Sequence, residues 1–150
     1  MSSIVVITGA NRGVGLALAE HYQQEGWKVI GVCRQTSDEL ERVADEVIEG
    51  IDVTQDDDIA RLEAALVGHT IDLLINNAGL LRDDVLGDIE IDSLRQQMEI
   101  NAYAPLRVSE ALLPMMKKGS KIANITSRMG SLADNDSGGR YGYRASKAAL

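Results

Sequence analysis

Short apolar runs rich in β-branched residues recur along the chain, separated by longer stretches whose apolar positions return every three or four residues. Five of the short runs predict strands: SIVVIT from Ser3, KVIGVC from Lys28, VIEGID from Val47, IDLLIN from Ile71 and KIANIT from Lys121. Strands alternating with amphipathic helices predict βαβ units, hence a parallel sheet covered by helices. The helix after the third strand is expected to open with a variant capping box, Thr54 with Asp57, and the acidic run at 56–58 complements its dipole. A longer helix is expected from about Glu90 to Lys117. Its inward stripe reads Leu94, Met98, Asn101, Pro105, Val108 and Leu112. ADNDSGGR (Ala133 to Arg140) reads as a flexible polar loop.

Composition narrows the function classes. The 150 residues suit one domain, and 45% apolar content is ordinary for a soluble globular chain. A net charge of −8 argues against a phosphate-backbone partner, so no nucleic acid is expected. Cys33 stands alone, which leaves neither a disulfide framework nor a cysteine-rich metal site and suggests a reduced, cytoplasmic setting. No signal peptide or membrane-length apolar run is read, so no membrane partner is expected.

The chemistry clusters at the carboxyl ends of the expected strands. The first strand runs into TGANRGVG, with Gly9, Gly13 and Gly15 ahead of a helix. Glycines there let the backbone approach a pyrophosphate, whose charge the helix N-terminus favours; a plain glycine turn is the alternative. The second strand ends in Cys33 and Arg34 with no acid, and Arg12 lies in the glycine turn. An acid at that place bonds a ribose 2′-hydroxyl whereas arginine accommodates a 2′-phosphate, so the expected cofactor is NADP(H) rather than NAD(H). Asp52, after the third strand, either bonds the adenine or simply precedes a helix start. The fourth strand ends in NNAG, where Asn77, Ala78 and Gly79 can serve as both turn and cofactor wall.

Asn101 is a polar amide on an apolar stripe, and Pro105 lacks the N–H that would have bonded its carbonyl. That carbonyl holds either a structural water at a kink or a water in a proton path. Ser127 follows the fifth strand, and Tyr143 and Lys147 stand four apart on the next helix. An ammonium one turn from a phenol favours the phenolate, so tyrosine can exchange a proton with a carbonyl oxygen as hydride arrives, while serine bonds that oxygen.

Taken together, TGANRGVG, NNAG, the Asn101 of EINAYAP, ITS ending at Ser127 and YRASK from Tyr143 resemble the short-chain dehydrogenase/reductase family, in its single-domain branch. SRMGSLADNDSGGRYGYRASKAAL is similar to carbonyl reductases of the C-factor and sniffer type. The resemblance implies a Rossmann-type, doubly wound α/β sheet of order 3-2-1-4-5, and a catalytic group of Ser127, Tyr143, Lys147 and Asn101. Tyr141 does not fit, because residue 145 is alanine. Asn11 and Val14 would join the glycine-turn side of the cofactor site, Val53 would stand beside Asp52, and Lys147 would also hold the nicotinamide ribose. The Ser127–Tyr143 segment is longer than the common pattern, which leaves Ser131 as an alternative to Ser127. The family also continues past this lysine, so the chain reads as an incomplete domain. Expected partners are a nicotinamide dinucleotide, a small carbonyl or alcohol substrate and further copies of the chain. A nucleotide-binding or interaction protein that no longer turns over is the rival class.

Overall fold

A computed structural model describes residues 1–150. Five parallel strands form one sheet, in the order β3-β2-β1-β4-β5: β1 (Ile4–Thr8), β2 (Lys28–Val32), β3 (Glu46–Ile48), β4 (Ile71–Asn76) and β5 (Met116–Asn124). The central strands are near-continuous apolar runs, Ile4–Ile7, Val29–Val32 and Leu73–Ile75, because both faces are covered, as a parallel sheet requires. Val5 and Ile7 of β1 point into a core with Val29, Leu73 and Ile75, where Ala19 of α1 (Gly13–Gln24) and Leu40 of α2 (Asp38–Val43) pack. Val6 points the other way, with Ile30 and Leu74, onto Ile59, Leu62 and Leu66 of α3 (Asp56–Leu66) and Val108 and Leu112 of α5 (Ala104–Leu112). Each fully buried Leu or Ile stabilises the fold by about 1.5–3 kcal/mol.

Element boundaries depart from expectation where glycine, proline or a capping side chain intervenes. The third strand covers Glu46–Ile48 instead of 47–52, because Gly50 adopts φ 73° and turns the chain out of the ladder. Its neighbours still bond β2's extension, Ile51 N–H donating to the Cys33 carbonyl at 3.1 Å. Helix α3 starts at Asp56 with no capping box. Thr54 donates its hydroxyl to Asp52 Oδ1 at 2.7 Å instead, and Asp58 Oδ2 accepts from Asp52 N–H at 3.0 Å.

The long helix expected from 90 to 117 is a composite. It comprises α4 (Ile91–Met98), a wide π turn (Glu99–Tyr103), α5, and a 3-10 turn (Leu113–Met115) that leads directly into β5. The helix therefore stops short of Lys117, and β5 begins five residues earlier than expected and ends two residues sooner. Asn101, Pro105, Val108 and Leu112 are buried as the stripe requires, but upstream the buried residues are Ser93 and Gln97, with Leu94 and Met98 only half-buried. Pro105 denies the Asn101 carbonyl its i+4 donor, and Ala104 N–H reaches back five residues to Glu99. A wider turn rotates less per residue, so Gln97, Asn101 and Pro105, each four apart, stay on one face.

Candidate active site

The glycine turn between β1 and α1 is closed by contacts to the segment after β4. Thr8 Oγ1 accepts from Asn77 N–H and Ala78 N–H, both at 3.0 Å. Asn77 Nδ2 returns to the Thr8 and Gly9 carbonyls at 3.1 and 3.2 Å. A Cβ on Gly15 would run into the Gly9 carbonyl and lie 2.5 Å from Asn77 Nδ2, which is why this position requires glycine. Gly9 and Gly13 take positive φ. The N-terminus of α1 has no side-chain cap and no acid in its first turn, so its amides and dipole are free to meet an anion.

That turn forms one end of a cleft of about 1050 Å³ that runs along the carboxyl ends of the strands. Gly9, Asn11, Arg12, Gly13, Val14 and Arg34 line one part, with Asp52, Val53, Asn77, Ala78 and Gly79 along its walls and Tyr143 and Lys147 at the far end. Gly15, Asn101 and Ser127 lie off the cleft wall, whereas Leu80, Leu81, Ile100, Ile125 and Thr126 line it without having been expected there. Arg12 and Arg34 are exposed, and neither guanidinium has a hydrogen-bond or ion-pair partner in the chain. Cys33, beside Arg34, is buried, and burial followed by the carboxylates of Glu49 and Glu41 pushes its thiol up to about 11. It is therefore a neutral wall residue at physiological pH. Asp52 presents an Oδ1 already engaged by Thr54 N–H at 3.0 Å and by the Thr54 hydroxyl.

At the far end, α6 (Tyr141–Ala149) carries Tyr143 and Lys147 on one face, with Lys147 Nζ 5.8 Å from the Tyr143 ring centroid. Lys147 is only 8% exposed, and burial lowers its pKa below the ordinary 10.5 while Nζ donates to the Ile125 carbonyl at 2.9 Å. Asn101 is fully buried. Its Oδ1 accepts from Leu80 N–H at 2.8 Å, and its Nδ2 donates to the Leu80 carbonyl at 2.7 Å and to Ser146 Oγ at 3.0 Å. Ser146 in turn donates to the Tyr143 carbonyl at 2.8 Å. A Cβ on Gly79 would stand 3.1 Å from Asn101 Oδ1 and 3.7 Å from Lys147 Nζ, so these three residues, far apart in sequence, meet in one corner.

Ser127 is half-buried, two residues beyond Ile125, and accepts from Met129 N–H at 3.2 Å to cap a 3-10 turn (Arg128–Gly130). That turn is pressed on α6, since a Cβ on Gly130 would lie 2.7 Å from the Lys147 carbonyl carbon. Ser131 is exposed and accepts from Ala133 N–H at 3.3 Å. The segment after it, expected to be flexible, is irregular but tied down: Arg144 donates to the Asp134 carbonyl at 2.6 Å, Ser137 Oγ at 2.8 Å and the Gly139 carbonyl at 3.1 Å. Thr8, Ser146 and Arg144 were missed as organising residues. Of these only Ser146, the partner of Asn101, carried a sequence signal, since it lies inside the Tyr143–Lys147 interval.

The sequence profile of the short chain dehydrogenase family matches residues 3–150. The chain belongs to that family. Among relatives of this short-chain dehydrogenase, a 1-hydroxy-2-glutathionyl-2-methyl-3-butene dehydrogenase of Rhodococcus sp. (strain AD45) is 38% identical over 98% of the chain and 66% of its own length. The C-signal protein of Myxococcus xanthus is 49% identical over 53% of the chain and 50% of its own length. A carbonyl reductase of Pseudomonas aeruginosa PAO1, solved in complex with NADP, superposes with a TM-score of 0.87 at 36% identity, over 99% of this chain and 71% of that one. This short-chain dehydrogenase thus spans about half to two thirds of the length of the curated relatives it matches. No helix in it is long and apolar enough to cross a membrane.

Proposed function

We propose that these residues form the cofactor-binding and proton-transfer part of an NADP(H)-dependent oxidoreductase acting on a carbonyl or alcohol. The observation that carries this reading is a single cleft with an uncapped helix N-terminus and two unpartnered arginines at one end and Tyr143 with Lys147 at the other. The amides of α1 would meet the pyrophosphate, and Arg12 and Arg34 a 2′-phosphate. The only acid lining the cleft is Asp52, whose Oδ1 is already engaged by the Thr54 N–H at 3.0 Å and the Thr54 hydroxyl at 2.7 Å. The Pseudomonas carbonyl reductase, solved with NADP, supports the same choice.

When bound, the nicotinamide ring supplies the hydride to the substrate carbon or takes it away. In the reductive direction Tyr143 Oη gives its proton to the carbonyl oxygen, which becomes the alcohol, and Ser127, directly after the cleft-lining Thr126 and with its hydroxyl hydrogen uncommitted, would steady that oxygen once substrate fills the space beside it. The Lys147 ammonium favours the phenolate left behind. Asn101 contributes by fixing Leu80 and Ser146 around this corner.

Calorimetric titration of the chain with NADPH and NADH tests the cofactor half. NADPH is expected to bind at least about tenfold more tightly, a difference of ~1.4 kcal/mol, and Arg34→Ala to bring the two affinities close together. Turnover with NADPH and 4-nitrobenzaldehyde tests the proton-transfer half, where Tyr143→Phe should lose roughly 10²–10⁴-fold in rate and retain NADPH binding. Equal affinities would reject the 2′-phosphate assignment. Unaltered turnover in Tyr143→Phe would reject tyrosine as the acid, and binding without turnover would favour a nucleotide-binding role.

A further inference from the structure

Helix α6 begins badly by its own sequence. Its N-cap residue, Arg140, offers no side-chain acceptor and sits in the left-handed region at φ 53°, ψ 42°, and the first turn contains no acid. A helix started this way leaves its first amides unpaired and frays from that end. Tyr143 is the third helical residue, within the turn that would fray.

The missing partners come from one residue far upstream, 57 positions before Tyr141 and 58 before Gly142. Asp84, in the loop between β4 and α4, is only 8% exposed, and its Oδ1 accepts from Tyr141 N–H at 2.6 Å and its Oδ2 from Gly142 N–H at 3.2 Å. The Asp84 carbonyl accepts from Arg140 N–H at 3.2 Å, and the Arg140 guanidinium is held by Asp83 Oδ1 at 2.8 Å. Three consecutive amides ahead of Tyr143 are therefore held by one residue, whose carboxylate also complements the helix dipole. On the opposite side Gly142 is packed so closely that a Cβ would lie 2.6 Å from Gln97 Nε2 and 3.1 Å from Leu94 Cγ. The first turn is gripped from two directions.

The Asp84 loop continues directly from Gly79, Leu80 and Leu81, which line the cleft. We infer that Asp84 is a positioning residue that presents Tyr143 to the cleft, capping the catalytic helix from the cofactor wall and so locking the two together. This rests on the reading of Tyr143 as the proton-transfer group. Asp84 touches neither Tyr143's side chain nor the cleft, and its action runs through the backbone of Arg140, Tyr141 and Gly142.

The test replaces the four tyrosines by 3-fluorotyrosine and follows their ¹⁹F resonances in the cofactor-free chain, assigning the Tyr143 line with Tyr143→Phe. Tyr22, packed edge-on against Trp27 at 5.1 Å, reports the rest of the fold. Asp84→Ala is expected to move the Tyr141 and Tyr143 lines to the position of the free amino acid while Tyr22 and Tyr103 hold. Asp84→Asn, which keeps an acceptor for Tyr141 N–H, is expected to restore them. A Tyr143 line that stays put in folded Asp84→Ala overturns the inference, as does an Asp84→Asn line displaced as far as in Asp84→Ala. If Asp84→Ala unfolds and all four lines, Tyr22 and Tyr103 included, collapse to the free-amino-acid position, Asp84→Asn decides alone, with a native Tyr143 line supporting the inference and a displaced one sinking it. Adding NADPH to the wild type reads the proposed function separately: an unresponsive chain counts against cofactor binding and leaves the cofactor-free comparison valid.

Discussion

Lys147 carries a charge where burial disfavours it. The folded chain binds that proton less tightly than the unfolded chain, so the ammonium costs stability below its depressed pKa, and the cost fades as pH rises towards 10.5. The stability of the wild type relative to Lys147→Met should therefore increase through that alkaline window in urea titrations at stepped pH; a difference flat with pH would mean the site is wet. The importance of Lys147 was legible in sequence through its spacing from Tyr143. Its restraint was not, because the carbonyl that holds it belongs to Ile125, an unremarkable apolar residue 22 positions away. Asn101 shows the same limit. Its presence on an apolar face was visible, and the sequence pointed to its backbone carbonyl through Pro105, whereas the side-chain amide makes the long-range bonds, to partners 21 and 45 residues distant.

At the scale of elements, Asn101 acts as a pin through three of them, joining the π turn to the loop at Leu80 and to Ser146 of α6. Asn101→Ala strips three hydrogen bonds and leaves the partly buried amide and carbonyl of Leu80 without their side-chain partner. The expected cost is about 2–4 kcal/mol in urea unfolding, larger than for an exposed polar site, and a loss under ~0.5 kcal/mol would mean that water replaces the amide. Strand identities were readable because β-branched runs and glycine turns are local signals, whereas the strand order, a non-local property, came from the family resemblance. Helix phase was not fully readable. A 3.6-residue template placed Leu94 and Met98 inward, but the proline-induced wide turn changes the rotation per residue, and with it which upstream side chains face in. The failed capping box at Thr54 has a similar cause, since Asp52 competes for the same hydroxyl two residues back.

For the whole molecule, order should decline from the centre of the sheet outward. Val5, Val6 and Ile7 are fully buried, whereas β5 is exposed at most positions and pairs only with β4. Amide exchange is expected to be slowest in β1 and β4 and faster in Met116–Asn124, where even Ile122 is 41% exposed. Uniform protection across all five strands would show that β5 is covered in solution. The segment from Ser131 to Gly139 is fastened differently, by Arg144 to Asp134, Ser137 and Gly139 and by the Asp84 grip at Arg140, while Leu132, outside those anchors, is 96% exposed. Anchored flanks with a free crest are what a scaffold needs for diversification. Exposed residues beside the anchors can vary at little cost to the fold, and a library randomised only at Leu132, Ala133 and Asn135 is expected to keep the wild-type unfolding midpoint in most members.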